Sequence, residues 1–213
     1  MMLEEPIRDR RAERHEATRA EILEAAWAQV RASGLAALSL RDLARSVGVQ
    51  PPSLYSYFES KHAIYDAMYA QGARQFVDAQ ARMPLPDEPL EALKAVVHYF
   101  VGFCAADFAR YQLLFQRTIP GFEPSAESFK ISEDNLAELA AYLGSLGVTD
   151  PGALDLFTAL GTGLADQQIS NDPGGDRWIR LIDEAVEMFY AHMTKKATKP
   201  VKGAKPVKGR RTG

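Results

Sequence analysis

The 213-residue sequence contains one cysteine, so no disulfide can form within a chain, and this favours a reducing compartment. Its N-terminus is charged and lacks the apolar stretch of a signal peptide. We find no apolar run that approaches the roughly 18 residues a membrane-spanning helix needs. These absences predict a cytoplasmic protein that does not associate with membranes.

Strand patterns and catalytic motifs are also lacking. No segment alternates apolar and polar residues for long. The four histidines are scattered without a pair at metal-ligand spacing, and no Gly-x-Ser-x-Gly motif occurs. The glycine-containing stretch 161–166 lacks the third glycine of a phosphate loop and lies within a helical pattern. We therefore expect no metal, no other cofactor and no enzyme, although composition alone leaves an all-helical hydrolase or lyase open.

Charge is distributed unevenly within a net charge of −3. Residues 1–61 are neutral overall, residues 62–194 carry −11 and residues 195–213 carry +8. Because an acidic surface repels polyanions, a DNA-binding surface must lie in the N-terminal part or in the tail. The tail repeats Lys-Pro-Val-Lys-Gly, which predicts disorder. It either adds non-specific DNA affinity or has no role, and a protein that coats DNA through this tail is a further alternative.

Helical periodicity runs through the remaining sequence and predicts an all-α fold of about nine helices. We predict a flexible arm over 1–17 and a first helix over 18–32. Short helices follow over 40–47, where Ser39 is the cap, and over 51–58. A fourth helix begins after the capping residue Ser60.

The two short helices form a helix-turn-helix. Gly48 supplies the left-handed backbone that a tight turn requires. Pro51 and Pro52 can begin a helix, because the first turn leaves its N–H groups without partners. Leu54 and Phe58 face the core, so the opposite face is small and uncharged. A slim face of this kind suits an approach to base edges in the major groove of DNA.

The spacing of this segment, ending in LYSYFESK at 54–61, resembles the TetR family of bacterial transcriptional regulators over about residues 18–66. The resemblance implies a homodimer that binds a palindromic operator, usually represses, and is released by a small molecule. It implies a DNA-binding domain over 1–61 and a helical ligand-sensing and dimerisation domain over 62–194. Proline replaces the usual small residue at 52, so base contacts cannot be transferred. The matching positions imply DNA contacts from Ser39, Arg41, Gln50, Pro51, Pro52, Ser53, Tyr55, Ser56, Tyr57 and Lys61.

Phosphate contact is favoured for Tyr55, whereas partial packing is an equal alternative for Tyr57. For the second domain we expect an apolar effector in a cavity among helices 88–107, 110–117 and 127–146. For each residue of that set, ordinary core packing is the alternative. The predicted cavity residues are Phe100, Phe103, Cys104, Tyr111, Phe115, Phe129 and Gln167.

The last two helices carry a broad apolar stripe that favours self-association of two copies into a four-helix interface. Packing within the same chain accounts for part of the stripe. The predicted interface residues are Phe157, Leu160, Leu164, Trp178, Ile182, Val186 and Phe189.

Overall fold

The computed structural model describes residues 10–197. Over that range the chain forms nine α-helices, two short 3₁₀ helices and no strand, which confirms the predicted all-α class. The first part of the predicted arm, residues 1–9, and most of the basic tail, residues 198–213, lie outside the described residues. The last helix continues to Ala197, past the predicted domain boundary at 194.

The N-terminal module contains α1 (Arg10–Ser33), α2 (Leu40–Ser46) and α3 (Pro51–Leu54), with a 3₁₀ turn between the first two. Local signals end and begin these helices as predicted. Gly34 and Gly48 have φ values of 82° and 71°, which favour glycine after each helix. The Ser39 hydroxyl accepts a hydrogen bond from the backbone N–H of Asp42 at 3.3 Å and caps α2.

Two predicted boundaries in this module are wrong. Helix α1 begins at Arg10, so residues 10–17 are helical and not a flexible arm. The added turns are stabilised from outside the helix, because the His15 ring stacks on Tyr57 with 4.7 Å between centroids. Helix α3 ends at Leu54 instead of residue 58, although the Tyr57 N–H still donates to the Leu54 carbonyl at 3.0 Å. The recognition element is therefore one helical turn followed by a tight turn.

Six further helices complete the described part of the chain. They are α4 (Lys61–Ala81), α5 (Pro89–Ala106), α6 (Phe108–Phe115), α7 (Ala126–Ser145), α8 (Ala153–Asn171) and α9 (Ile182–Ala197). Helix α9 starts later than the predicted residue 176. The buried Gln168 explains the delay, because its side-chain oxygen accepts from the N–H groups of Trp178 and Ile179 at 2.9 and 3.3 Å. These two N–H groups are thereby satisfied before the helix begins.

Two hydrophobic cores hold the molecule together. The first combines the N-terminal module with parts of α4 and α6, through residues such as Ile22, Leu43 and Ile64. The second lies among α5, α6, α7, α8 and α9. Helix α4 leaves no clean boundary at residue 61, since its first half packs with the module.

Part of the predicted dimer interface packs within the second core of its own chain. Four of the seven predicted residues face the interior of their own chain: Phe157, Ile182, Val186 and Phe189. Their apolar stripe is used to pack α8 and α9 against α5. The other three are partly buried: Leu160, Leu164 and Trp178.

By length and composition alone, α5 could cross a membrane, and the sequence analysis above missed this. A core helix passes the same test. Here Leu93, Val97 and Val101 of α5 pack into the second core. The Lys94 ammonium also lies 2.7 Å from the Glu187 carboxylate of α9. This packing identifies α5 as a core helix.

Candidate functional site

The residues predicted to face DNA lie at one end of the molecule, on α2, α3, the following turn and the start of α4. Seven of the ten are exposed: Arg41, Gln50, Pro51, Pro52, Ser53, Tyr55 and Ser56. Ser39, Tyr57 and Lys61 are partly buried. Leu54 and Phe58 are buried beneath this surface and anchor it to the first core. The surface therefore presents one arginine, one glutamine, two prolines, two serines and one tyrosine on a packed support.

Hydrogen bonds within the chain limit which donors and acceptors the hydroxyl groups of Ser39 and Ser56 can offer to DNA. The Ser56 hydroxyl donates to the Ser53 carbonyl at 2.7 Å, so its oxygen remains available as an acceptor. The Ser39 hydroxyl oxygen caps α2, and its backbone N–H donates to the Gln29 side chain at 3.0 Å. Ser39 thus keeps only its hydroxyl proton for a phosphate.

The cationic side chains on this surface differ in whether other residues of the chain already bind them. Lys61 donates to the Ala36 carbonyl at 3.3 Å, a bond near the upper distance limit that a phosphate can replace. Arg45 pairs with Asp42 at 3.1 Å on the exposed side of α2. Among residues 10–197, no ion pair or hydrogen bond engages the Arg41 guanidinium. Arg41 is therefore the cation most ready for a phosphate contact.

Two residues that the sequence analysis missed, His15 and Arg19, support the recognition turn. The His15 ring nitrogen Nε2 lies 3.3 Å from the Ser56 carbonyl oxygen, and the ring stacks on Tyr57. Arg19 donates to the Tyr57 carbonyl at 3.0 Å and its guanidinium lies 4.3 Å from the centre of the Phe58 ring. His15 and Arg19 are four residues apart, so they lie on one face of α1. This spacing could have suggested that both contact the same segment of the chain. The stacking favours the packing alternative for Tyr57.

A second candidate site is a cavity of about 300 Å³ bounded by α4, α5, α6, α7 and α8. Aromatic rings form much of its wall: Tyr69, Phe76, Phe100, Phe115, Phe129 and Phe157. Polar groups on the wall are neutral: Gln80, Ser132, Asn135, Thr158 and Thr162. A largely apolar pocket with a few polar groups is typical of a small-molecule site.

Three of the predicted cavity residues, Phe100, Phe115 and Phe129, line this cavity, and four do not. Cys104 and Tyr111 belong to the second core, where burial raises the pKa of the Cys104 thiol to about 12. The Phe103 ring instead packs against Arg110, whose guanidinium carbon lies 3.7 Å from the ring centroid. The Gln167 side-chain oxygen accepts from Asn171 at 2.8 Å.

The sequence analysis missed the contribution of α4 to the cavity, including Tyr69 and Phe76. Tyr69 and Phe76 recur at helical spacing on α4, but nothing in the sequence indicates which helix they face. Burial raises the pKa of the Tyr69 phenol, which therefore stays protonated and neutral.

Hydrogen bonds join α4 to the first half of α7 and its cap at two places, one at the cavity wall and one nearer the N-terminal module. The Tyr69 hydroxyl lies 2.7 Å from the Ser132 hydroxyl at the cavity wall. Nearer the module, the Asp66 carboxylate accepts from the Ser125 N–H at 2.7 Å, the Ser125 hydroxyl at 3.1 Å and the Ser128 hydroxyl at 2.9 Å. A displacement of α7 would therefore act on α4.

A helix-turn-helix joined to a helical domain with an internal cavity defines a class, that of DNA-binding regulatory proteins. Residues 22–68 match the family described as bacterial regulatory proteins, tetR family. The match covers the helix-turn-helix module and the start of α4. No protein of curated function matches the sequence significantly.

Solved structures share the fold over most of the chain. A tetR-family regulatory protein from Rhodococcus RHA1 aligns at 21% identity and a TM-score of 0.62, covering 81% of this chain and 96% of that one. The fatty acid degradation regulator FadR from Bacillus halodurans aligns at 16% identity and a TM-score of 0.64, covering 81% and 94%. A TetR variant from Acinetobacter baumannii, solved with minocycline, aligns at 19% identity and a TM-score of 0.58, covering 84% and 98%. At these identities the likeness establishes the fold alone.

Proposed function

We propose that this protein is a transcriptional regulator of the TetR family: a cytoplasmic repressor that binds a palindromic operator as a homodimer and is released by a small apolar effector. The observation that carries the proposal is the double role of α4. Its first half, including Ile64 and Tyr65, packs with the helix-turn-helix in the first core. Its second half, including Phe76, forms a wall of the cavity. One rigid helix therefore spans both sites.

Dimer formation is supported by exposed apolar side chains on the last two helices. Leu156 of α8 and Met188 of α9 are exposed although both are large and apolar. Leu160 and Leu164 of α8 are partly exposed beside them. In two copies, α8 and α9 form a four-helix interface through this outer face, while their inner faces remain in the second core.

The mechanism is a shift between two states of the dimer. In the operator-binding state, the two recognition turns lie about one DNA turn apart, roughly 34–36 Å. An effector that binds more tightly to a second state lowers operator affinity by its difference in affinity for the two states. The helix α4 transmits the shift, because Tyr69 touches the cavity while Lys61 begins the helix beside the DNA-facing surface. The minocycline complex of the A. baumannii TetR variant supports a small-molecule effector for the same fold.

Selection of bound sequences from a random DNA pool tests the proposal. We expect an enriched palindrome with half-sites one helical turn apart, bound by a dimer with strong dependence on salt. Equal binding to random DNA would instead support a DNA-coating protein. If the protein binds no DNA at all, the alternative of an all-helical hydrolase or lyase would be favoured instead. The enriched sequence then serves as the operator in the experiments below.

A further inference from the structure

The cavity carries no charge among the described residues. None of the side chains on its wall is a lysine, arginine, histidine, aspartate or glutamate, and the phenol of Tyr69 is neutral. A charged ligand would lose its hydration there without gaining an ion pair, which weakens its binding relative to a neutral ligand of the same shape. Neutral ligands carry no such penalty. We propose that the cavity binds an uncharged molecule with an aromatic body and one hydrogen-bonding end seated on Asn135.

The volume of the cavity limits the size of the ligand. A space of about 300 Å³ lies at the lower end of the range that small-molecule sites occupy. A fused two-ring molecule with one small polar substituent fits this volume.

Aromatic side chains determine the shape of the ligand body. Phe100 and Phe115 meet edge to face with 5.1 Å between centroids, and Phe76 meets both in the same manner. A flat ring can continue this arrangement, because aromatic pairs favour edge-to-face and offset-stacked contacts. The ring-bearing part of the ligand therefore lies among Phe76, Phe100 and Phe115.

Asn135 provides the polar end of the site. Phe129, Ser132, Asn135, Leu136 and Leu139 recur at intervals of three and four, so α7 presents one face to the cavity. Ser132 on that face already pairs with Tyr69. The Asn135 side chain is partly buried, and no other residue within 10–197 hydrogen-bonds to it. Its amide can both donate and accept, so it recognises a carboxamide, a phenol or a ketone.

The exposed side of α7 gives access to the cavity. Phe129 and Leu136 lie on the cavity wall and are nevertheless exposed to solvent. They are seven residues apart and therefore two turns apart on the same face. The ligand enters between them, which leaves its polar end close to Asn135.

The test uses two probes of equal shape, 2-naphthamide and 2-naphthoate, which differ in charge. Calorimetry measures the dissociation constant of each probe with the full-length wild-type protein in the absence of DNA. We expect the amide to bind at least about tenfold more tightly than the carboxylate. Equal or tighter binding of 2-naphthoate would overturn the proposal, as would failure of both probes to bind at millimolar concentration.

Asn135→Leu removes the polar anchor while approximately preserving side-chain volume. We expect it to weaken 2-naphthamide by about tenfold and to leave unsubstituted naphthalene unchanged or slightly tighter. The matched control is Gln167→Leu, since Gln167 is an amide on α8 outside the cavity wall. Unchanged amide binding by Asn135→Leu, with normal folding by circular dichroism, would place the polar end elsewhere and overturn the assignment.

The role of the ligand as an effector rests on the proposed function, but its binding does not. If 2-naphthamide binds but the selected operator is retained at saturation, the ligand class stands and release by ligand fails. If the protein binds the operator specifically but binds neither probe, the proposal of a DNA-binding regulator is retained and the proposed ligand class is wrong. The two proposals are therefore separable.

Discussion

In the N-terminal module most candidate functional residues lie on the surface, whereas among α4 to α8 they line a cavity between helices. Tyr55 and Ser53 project from a packed support formed by Leu54 and Phe58. Phe100 and Asn135 face a cavity that exists only because five helices stop short of closing on one another. A surface site requires only that a short segment takes its local conformation. A cavity depends on the relative positions of several long elements.

The largest expected effect separates buried from exposed residues on the last helix. Ile182 is fully buried in the second core, and Ile182→Ala should lower the free energy of unfolding by about 2–5 kcal/mol. Met188 is 63% exposed, so Met188→Ala should leave the stability of the chain almost unchanged. In the proposed dimer, Met188→Ala should instead raise the dissociation constant of the dimer.

Chemical denaturation at several protein concentrations, with analytical ultracentrifugation, distinguishes the two effects. If Ile182→Ala changes only the dimer dissociation constant, then Ile182 is an interface residue as the sequence first suggested. If Met188→Ala changes neither quantity, the dimer uses another surface of the molecule.

The next effect tests the surface site. Tyr55→Ala should weaken binding to the selected operator by about 1–3 kcal/mol and leave the fold intact, because Tyr55 is 56% exposed. Phe108→Ala is the matched control, since Phe108 is 53% exposed and lies on α6 outside the DNA-facing surface. Fluorescence anisotropy with labelled operator measures both variants. Equal affinity of the Tyr55 variant and the wild type would exclude this face as the contact.

The same contrast explains which features the sequence could predict. Ser39, Gly48 and Ser60 act on groups within a few residues, so the caps and the turn followed from sequence spacing. The packing of α1 against the turn after α3 could not be predicted in this way, because His15 and Ser56 are 41 positions apart. No local rule connects such a pair.

In the second domain, periodicity predicted helices but not their neighbours. Phe100 and Cys104 lie one turn apart on α5 and both contact the second core, yet only Phe100 also reaches the cavity wall. An apolar stripe covers a wide arc of a helix, and different parts of that arc can meet different partners. For this reason residues buried in the chain, residues of the cavity wall and residues predicted to form a dimer interface share one sequence pattern.

A smaller effect separates two roles of Ser39. Ser39→Ala removes the cap of α2 and should cost about 1 kcal/mol of stability. Ser39→Asp keeps an acceptor for the Asp42 N–H, so stability should be retained. The added negative charge should nevertheless weaken operator binding if Ser39 lies near a phosphate. Thermal denaturation and operator anisotropy give the two readouts, and full operator affinity of the aspartate variant would remove Ser39 from the contact surface.

The smallest expected effect concerns Cys104, which the sequence assigned to the cavity and the structure buries in the second core. Burial raises the pKa of its thiol from 9.0 to about 12, so the folded protein holds almost no thiolate at pH 8. A thiol-specific reagent should therefore leave the native chain unlabelled and react fully after denaturation, as mass spectrometry would record. The contribution of this thiol to stability is complete below about pH 9 and is lost as the pH rises through about 12, because only the unfolded chain ionises readily in that interval. Rapid labelling of the native protein that 2-naphthamide suppresses would show instead that Cys104 is reached through the cavity, and the division between cavity wall and second core would have to be redrawn at α5.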